Sequence, residues 1–168
     1  MPLASLALLV ALRAADPAVA AAAPAPLRAL AFLEGAWTAE PDARGATGQF
    51  TLAPELSGAV LVRRNRLAVP AGEERPASVH EDLMVIWAEG AELRADYWDD
   101  EGHVIRYKVR SEAGTLIFES DPSAPGPRFR LVYARRGADV VEVSFSIAPP
   151  GKGYEPYVTG LARRIEDP

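Results

Sequence analysis

Apolar and polar residues alternate along most of the chain, as expected for strands that bury one face and leave the other in water. In "HVIRYKVR", Ile105, Tyr107 and Val109 share one face and three basic residues share the other. "DVVEVSFSI" repeats this arrangement, with Val141 and Phe145 on its apolar face. The alternation predicts ten strands, at residues 36–40, 45–53, 59–69, 79–89, 92–99, 103–110, 115–121, 128–135, 139–148 and 157–165.

A short helix is predicted ahead of the first strand. In "LRALAFLEG", Leu27, Leu30 and Leu33 are spaced three residues apart, which predicts one or two helical turns. Gly35 stands where helices commonly end. Residues 21–26 form an Ala/Pro-rich linker before the helix, so the folded domain is expected to cover residues 27–166.

The links between the strands differ in length in a regular way. Tight links that contain glycine, "PELSG", "EG", "EAG" and "RRGA", follow the even-numbered strands, whereas most of the links after the odd-numbered strands are longer and rich in proline. If all neighbouring strands are antiparallel, the long links gather at one end. The sequence therefore predicts an all-β fold: a ten-stranded antiparallel up-and-down β-barrel with a short N-terminal helix closing one end.

The first 20 residues have the features of an export signal. Residues 3–12 are an unbroken apolar run that is too short to span a bilayer, and Ala18 and Ala20 are small residues at the positions that a signal peptidase recognises. We expect residues 1–20 to be a signal peptide and the protein to be periplasmic or secreted.

Composition excludes several functions. The chain has no cysteine, which rules out disulfides, thiol catalysis and cysteine metal sites. Its net charge of −5 argues against nucleic acid as a partner, because nucleic acids bind basic surfaces. Outside the signal, no apolar run is long enough for a membrane helix, so no integral membrane segment is expected. Monomer and dimer both remain open.

Two short motifs carry a resemblance to a known superfamily. "FLEGAW" places Gly35-x-Trp37 at the start of the first strand, and "GLARR" places Arg163 and Arg164 near the end of the last. This resembles the calycin superfamily of lipocalins and fatty-acid-binding proteins, most closely its uncharacterised exported bacterial members. The resemblance implies that Trp37 plugs the closed end of the barrel and that Arg163 or Arg164 packs across its ring.

The same resemblance offers one cofactor to consider. Nitrobindin-type barrels hold haem through a histidine near the carboxyl end of the chain. Here no histidine follows His103, so haem is disfavoured and no cofactor is expected.

Candidate site residues converge on the end that carries the long links. Alternation places the side chain of His103 inward, in register with Ile105. The rim residues predicted to bind a ligand are His80, Asp82, Asp99, His103, Arg128, Arg130 and Tyr157.

Three interpretations of this rim are open. In the first, "DDEG" is turn chemistry and His103 is a polar cap. In the second, His80, His103, Arg128 and Arg130 orient the head group of a mostly apolar ligand. In the third, His80 and His103 join a carboxylate such as Asp82 or Asp99 in a metal or acid–base site, although their spacing follows no metal motif.

The predicted interior is apolar with a few phenols. A barrel of ten strands is wider than one of eight, and an eight-stranded barrel already has room for one small ligand. We expect interior contacts to a ligand from Tyr97, Tyr107, Phe118, Phe129, Tyr133 and Phe145. By contrast, Arg63, Arg64 and Arg66 on the third strand are interpreted as a solvated face whose charges are partly paired.

Three functions follow as hypotheses. The first is a binding module for a small hydrophobic or amphipathic molecule, without catalysis. The second is a hydrolase or isomerase, with or without a metal, that uses the rim. The third is a non-catalytic protein that docks a partner through the fourth strand, which is apolar on both faces.

Overall fold

A computed structural model describes residues 23–42, 45–73, 75–123 and 125–165. The predicted signal peptide, residues 1–20, and the first two residues of the predicted linker lie outside the described residues. A 3-10 helix, Ala25–Leu33, starts within the last part of that linker.

The remaining elements are ten strands and one short 3-10 turn, Leu56–Gly58, which lies between the second and third strands. Their alternating burial follows from the alternating sequence, because successive side chains on a strand point to opposite faces. The strands are β1 Gly35–Ala39, β2 Thr47–Glu55, β3 Val60–Val69, β4 Ser78–Glu89, β5 Glu92–Asp99, β6 Val104–Glu112, β7 Thr115–Ser120, β8 Arg128–Arg135, β9 Val140–Ala148 and β10 Glu155–Arg164.

The sheet closes into a barrel, which confirms the predicted fold class. Each strand pairs antiparallel with its neighbours in sequence, and β1 also pairs with β10. Trp37 stands opposite Phe50 on β2 and opposite Arg164 on β10. Closure leaves no unpaired edge among the described strands, and it fixes two ends: a closed end with the tight hairpins and a loop end with the long links.

The 3-10 helix covers the closed end. Its leucines Leu27, Leu30 and Leu33 are all buried, and the helix contacts β4 and β5. A 3-10 helix has three residues per turn, so a spacing of three places all three leucines on one face. The predicted helical turn is therefore present, in the tighter 3-10 form.

The G-x-W motif builds the closed end as the resemblance implied. Trp37 is fully buried, its Nε1 donates to the Leu33 carbonyl at 2.8 Å, and the guanidinium of Arg164 lies 4.4 Å from its ring centroid. Gly35 has φ +108°, and a Cβ there would lie 2.9 Å from Nη1 of Arg164. The motif needs glycine because only glycine fits this conformation beside the arginine.

The two candidate arginines of the last strand have different positions. Arg164 donates through Nη2 to the Phe32 carbonyl at 2.8 Å, which joins the end of β10 to the 3-10 helix. Arg163 points outward and pairs with Glu40 at 2.8 Å on the surface. Arg164 is therefore the arginine that closes the barrel.

The interior is filled at the closed end and open to water at the loop end. On β8, Leu131 and Tyr133 are buried while Phe129 is half-buried. On β9, Val141 is buried while Val143, Phe145 and Ile147 are half-buried. On β10, Ala162 is buried while Val158 and Gly160 are exposed. These residues share the inward face through their pairing, so a cup opens at the loop end above a packed base.

In the part of the chain that the structure describes, no helix has the length and apolar character needed to cross a membrane.

Candidate functional site at the loop end

A chain of polar contacts crosses one wall of the cup, on β4 and β5. His80 Nε2 lies 3.2 Å from the Tyr97 hydroxyl, and that hydroxyl donates to Asp99 Oδ2 at 3.2 Å. Asp99 Oδ2 also lies 2.8 Å from His103 Nδ1. The two histidines are therefore brought to the same end of the barrel, with a phenol and a carboxylate between them. We call His80, Tyr97, Asp99 and His103 the polar wall.

Asp99 organises the turn that leads into β6. Its Oδ1 accepts the backbone N–H groups of Glu101 and His103, at 3.1 and 2.8 Å, and Gly102 supplies a φ of +88°. Burial works to raise the pKa of the Asp99 carboxyl, but hydrogen bonds from the backbone and ring of His103, then from Tyr97, hold it below its ordinary value. The "DDEG" segment is thus turn chemistry, and its carboxylate also belongs to the polar wall.

His103 lies at the rim of the cup. β6 begins one residue later, at Val104, and the His103 side chain is 60% exposed. The turn binds the backbone of His103 to Asp99, and the His103 ring lies against the same carboxylate.

Beneath the polar wall lies a buried ion pair. Arg63 Nη1 donates to Asp82 Oδ1 at 2.6 Å, and Asn65 Nδ2 donates to Asp82 Oδ2 at 2.8 Å. His80 Nε2 lies 3.7 Å from the same Oδ2. Asp82 thereby lies next to His80 of the polar wall. Its main partner, Arg63, is 8% exposed, so the interpretation of Arg63 as part of a solvated face is wrong.

Three tyrosine hydroxyls interact electrostatically with Arg63 and Asp82, namely those of Tyr97, Tyr107 and Tyr133, and all three stay protonated. Burial raises the pKa of Tyr133 to about 12, although Arg63 opposes the rise. Burial also raises the pKa of Tyr107, and burial together with Asp82 and Asp99 raises that of Tyr97. The hydroxyls are therefore hydrogen-bond donors over the whole physiological pH range.

The opposite wall of the cup is aromatic. Phe129 and Phe145 are stacked with ring centroids 6.0 Å apart, and Tyr157 packs edge-on against Phe145 at 6.2 Å. Tyr157 is 72% exposed and lies in a β-bulge between Pro156 and Val158. We call Phe129, Phe145, Tyr157 and Val158 the aromatic wall.

Gly160 marks unfilled space beside this wall. It pairs with Val143, which in turn pairs with Tyr133, so Gly160 faces the interior. No atom of the described residues lies within 4 Å of the position that a Cβ on Gly160 would take.

The other predicted interior aromatics fill the base of the barrel. Tyr107, Phe118 and Tyr133 are buried and meet edge-on, with centroids 6.1 and 6.0 Å apart. Of the six predicted contacts, only Tyr97, Phe129 and Phe145 line the open cup.

Arg128 and Arg130 are not brought to the polar wall. They alternate with Phe129 and therefore face outward, where both guanidiniums lie against the ring of Tyr154. Arg130 also pairs with Glu119 at 2.6 Å. Together with Lys108 and Arg110 they line an outer groove of about 790 Å³.

Among the described residues, no group of three histidine, aspartate or glutamate side chains is arranged to hold a metal ion. His80 Nδ1 lies nearest Asp100, at 3.3 Å, and His103 Nδ1 lies nearest Asp99, at 2.8 Å. Glu101 lies near both rings, with its two carboxylate oxygens 3.7 Å from His80 and 3.8 Å from His103.

The outer face of β4 is apolar, as the sequence indicated. Leu83, Val85 and Trp87 alternate with the buried Met84 and Ile86 and are half-buried by neighbouring strands.

Sequence reasoning missed Arg63, Asn65 and Gly160. A signal for the first two was present, since Arg63 and Asn65 have the same parity as Leu61 and Leu67 on β3. Asp82 likewise has the parity of the buried Met84 and Ile86, so alternation alone places opposite charges on the inner faces of adjacent strands.

Neither the known protein families nor the curated protein sequences contain a match to this chain.

Proposed function

We propose that this barrel binds a small amphipathic molecule in the cup at its loop end, without catalysing a reaction. The observation that carries the proposal is the pairing of an aromatic wall with a polar wall across unfilled interior space. When an apolar ligand covers partly exposed aromatic rings, apolar surface is removed from water, and this favours binding. The opposing hydroxyl, imidazole and carboxylate groups would fix its polar end.

The wider setting is part of the same proposal. The Trp37 plug with Arg164 across it and the antiparallel closed barrel support membership in the calycin superfamily. The apolar run and small residues of the first 20 positions support a signal peptide, hence a periplasmic or secreted binding protein.

The experiment uses Gly160, because a larger side chain there would occupy the cup without straining the backbone. In Gly160→Phe, we expect the variant to fold and to lose binding of the neutral apolar probe N-phenyl-1-naphthylamine, with affinity falling at least about tenfold. Gly137→Phe is the matched control: no atom of the described residues lies within 4 Å of its Cβ position either, but it lies in the β8–β9 hairpin at the closed end.

Fluorescence titration measures the affinity, and circular dichroism checks that both variants fold. Native mass spectrometry of protein purified after export would show a retained small molecule in the parent and less of it in Gly160→Phe. The proposal is overturned if the parent binds neither the probe nor any co-purified molecule, or if the two variants bind equally.

A further inference from the structure

Two buried donors at the base of the cup have no acceptor. Arg63 Nε–H and the Tyr133 hydroxyl are both enclosed, and neither finds a hydrogen-bond partner among the residues that the structure describes. Buried polar groups are nearly always hydrogen-bonded, so two such donors in one place require an explanation.

The two donors belong to one cluster. The Arg63 guanidinium lies 5.6 Å from the ring centroid of Phe50, and Phe50 packs against Tyr133 with centroids 5.6 Å apart. Arg63 and Tyr133 also influence each other electrostatically.

The cluster lies directly below the open part of the barrel. Tyr133 pairs with Val143, which is half-buried, and Val143 pairs with the exposed Gly160. A ligand beside Gly160 would therefore lie two strands away from Tyr133, at the same position along the ladder. Because both donor atoms are themselves covered, contact requires a side chain of the floor to move aside. The two new hydrogen bonds offset the cost of that movement.

We infer that Arg63 and Tyr133 form a polar subsite for an uncharged oxygen acceptor of the ligand, such as the carbonyl of a ketone, ester or amide. This inference rests on the proposed binding function and names the ligand class. The requirement for an acceptor follows from the donors: the arginine cannot accept a hydrogen bond, and its Nε–H and the tyrosine hydroxyl are buried in one cluster with no acceptor among the described residues.

The ligand is uncharged because the charge of Arg63 is already matched. Asp82 lies 2.6 Å from Nη1 of Arg63, and the two side chains are 10% and 5% exposed. A carboxylate on the ligand would add an unmatched negative charge to a site removed from water, which is strongly unfavourable. A carbonyl oxygen accepts both hydrogen bonds and adds no charge.

The test compares three probes of similar shape: acetophenone with a ketone, ethylbenzene with no acceptor, and benzoate with a carboxylate. Two-dimensional ¹⁵N NMR of the whole domain measures each affinity and follows the Nε–H resonance of Arg63. We expect acetophenone to bind about tenfold more tightly than ethylbenzene or benzoate, and to be alone in shifting that resonance.

The variant Tyr133→Phe removes one of the two donors and breaks no hydrogen bond of the free protein, so it is expected to fold. It should weaken acetophenone about tenfold and leave ethylbenzene unchanged. Tyr154→Phe, whose ring lies outside the barrel against Arg130, is the matched control and should change neither.

The outcomes separate this inference from the proposed function. Tighter binding of benzoate, or equal binding of acetophenone and ethylbenzene, would overturn the subsite while leaving the cup as a binding site. If the parent protein binds none of the three probes, and Gly160→Phe does not change the binding of N-phenyl-1-naphthylamine, both the subsite and the proposed function are overturned.

Discussion

Arg63 lies inside the barrel, and Asp82 on the neighbouring strand accepts its hydrogen bond at 2.6 Å. Its neighbour Arg64 points outward and is exposed. Two identical residues next to each other in sequence therefore have opposite environments, because strand alternation assigns them to opposite faces. The residue type cannot distinguish the two arginines, but the strand position can, because Arg63 is two residues from the buried Leu61 and therefore shares its face.

Replacing Arg63 by methionine should destabilise the protein by about 3–5 kcal/mol, since it leaves the Asp82 carboxylate buried without its cation. Arg64→Met provides the matched control and should change stability by less than about 0.5 kcal/mol. Urea unfolding followed by tryptophan fluorescence measures both. Equal effects of the two substitutions would show that the buried pair does not stabilise the fold.

At the scale of elements, the sequence predicts strands well and turns poorly. All ten strands were predicted from alternation and from the glycine and proline residues between them, and most boundaries differ by only one or two residues. The contacts of His103 were not predictable because side-chain hydrogen bonds of Asp99 set the conformation of the turn, and such bonds have no periodicity to detect. The cup was also only partly predictable, since the split between a filled base and an open mouth depends on how inward side chains meet across the barrel.

The turn before β6 should weaken in acid. The pKa of Asp99 is held below its ordinary value of 3.8, so its ionised form stabilises the folded protein. That stabilisation is complete above the unfolded-state value and is lost as the pH falls below it, through the lowered folded-state value. A carboxyl ¹³C titration should place the Asp99 midpoint below 3.8. In Asp99→Asn, stability should fall less steeply with acid over this range; an unchanged slope would contradict the assignment.

At the scale of the whole molecule, the packing of the closed end of the barrel is centred on the indole ring of Trp37. Trp37 is stacked on Phe50 at 5.9 Å, hydrogen-bonded to the 3-10 helix and covered by Arg164, so it joins the 3-10 helix, β2 and β10 at the closed end. The plug was expected from the resemblance that the G-x-W motif and the arginines of the last strand carry, in which the glycine, the tryptophan and an arginine pack against one another. The function has no comparable motif and is inferred from the geometry of the cup.

Trp37→Ala should cost about 3–5 kcal/mol through the cavity that it leaves. Trp98→Ala is the control, because Trp98 is 40% exposed on the outer face, and it should change stability by about 0.5 kcal/mol. Thermal unfolding distinguishes the two. If Trp37→Ala unfolds at the temperature of Trp98→Ala, the plug does not hold the barrel closed.

The pairing of β1 with β10 has a consequence for biogenesis. Arg164 donates to a carbonyl 132 residues earlier in the chain, so the ring of strands cannot be completed until β10 has left the ribosome. Until then β1 offers its unbonded backbone to any other chain, and contacts between such distant residues form slowly. Nascent molecules would therefore be open to aggregation until β10 is available to pair with β1.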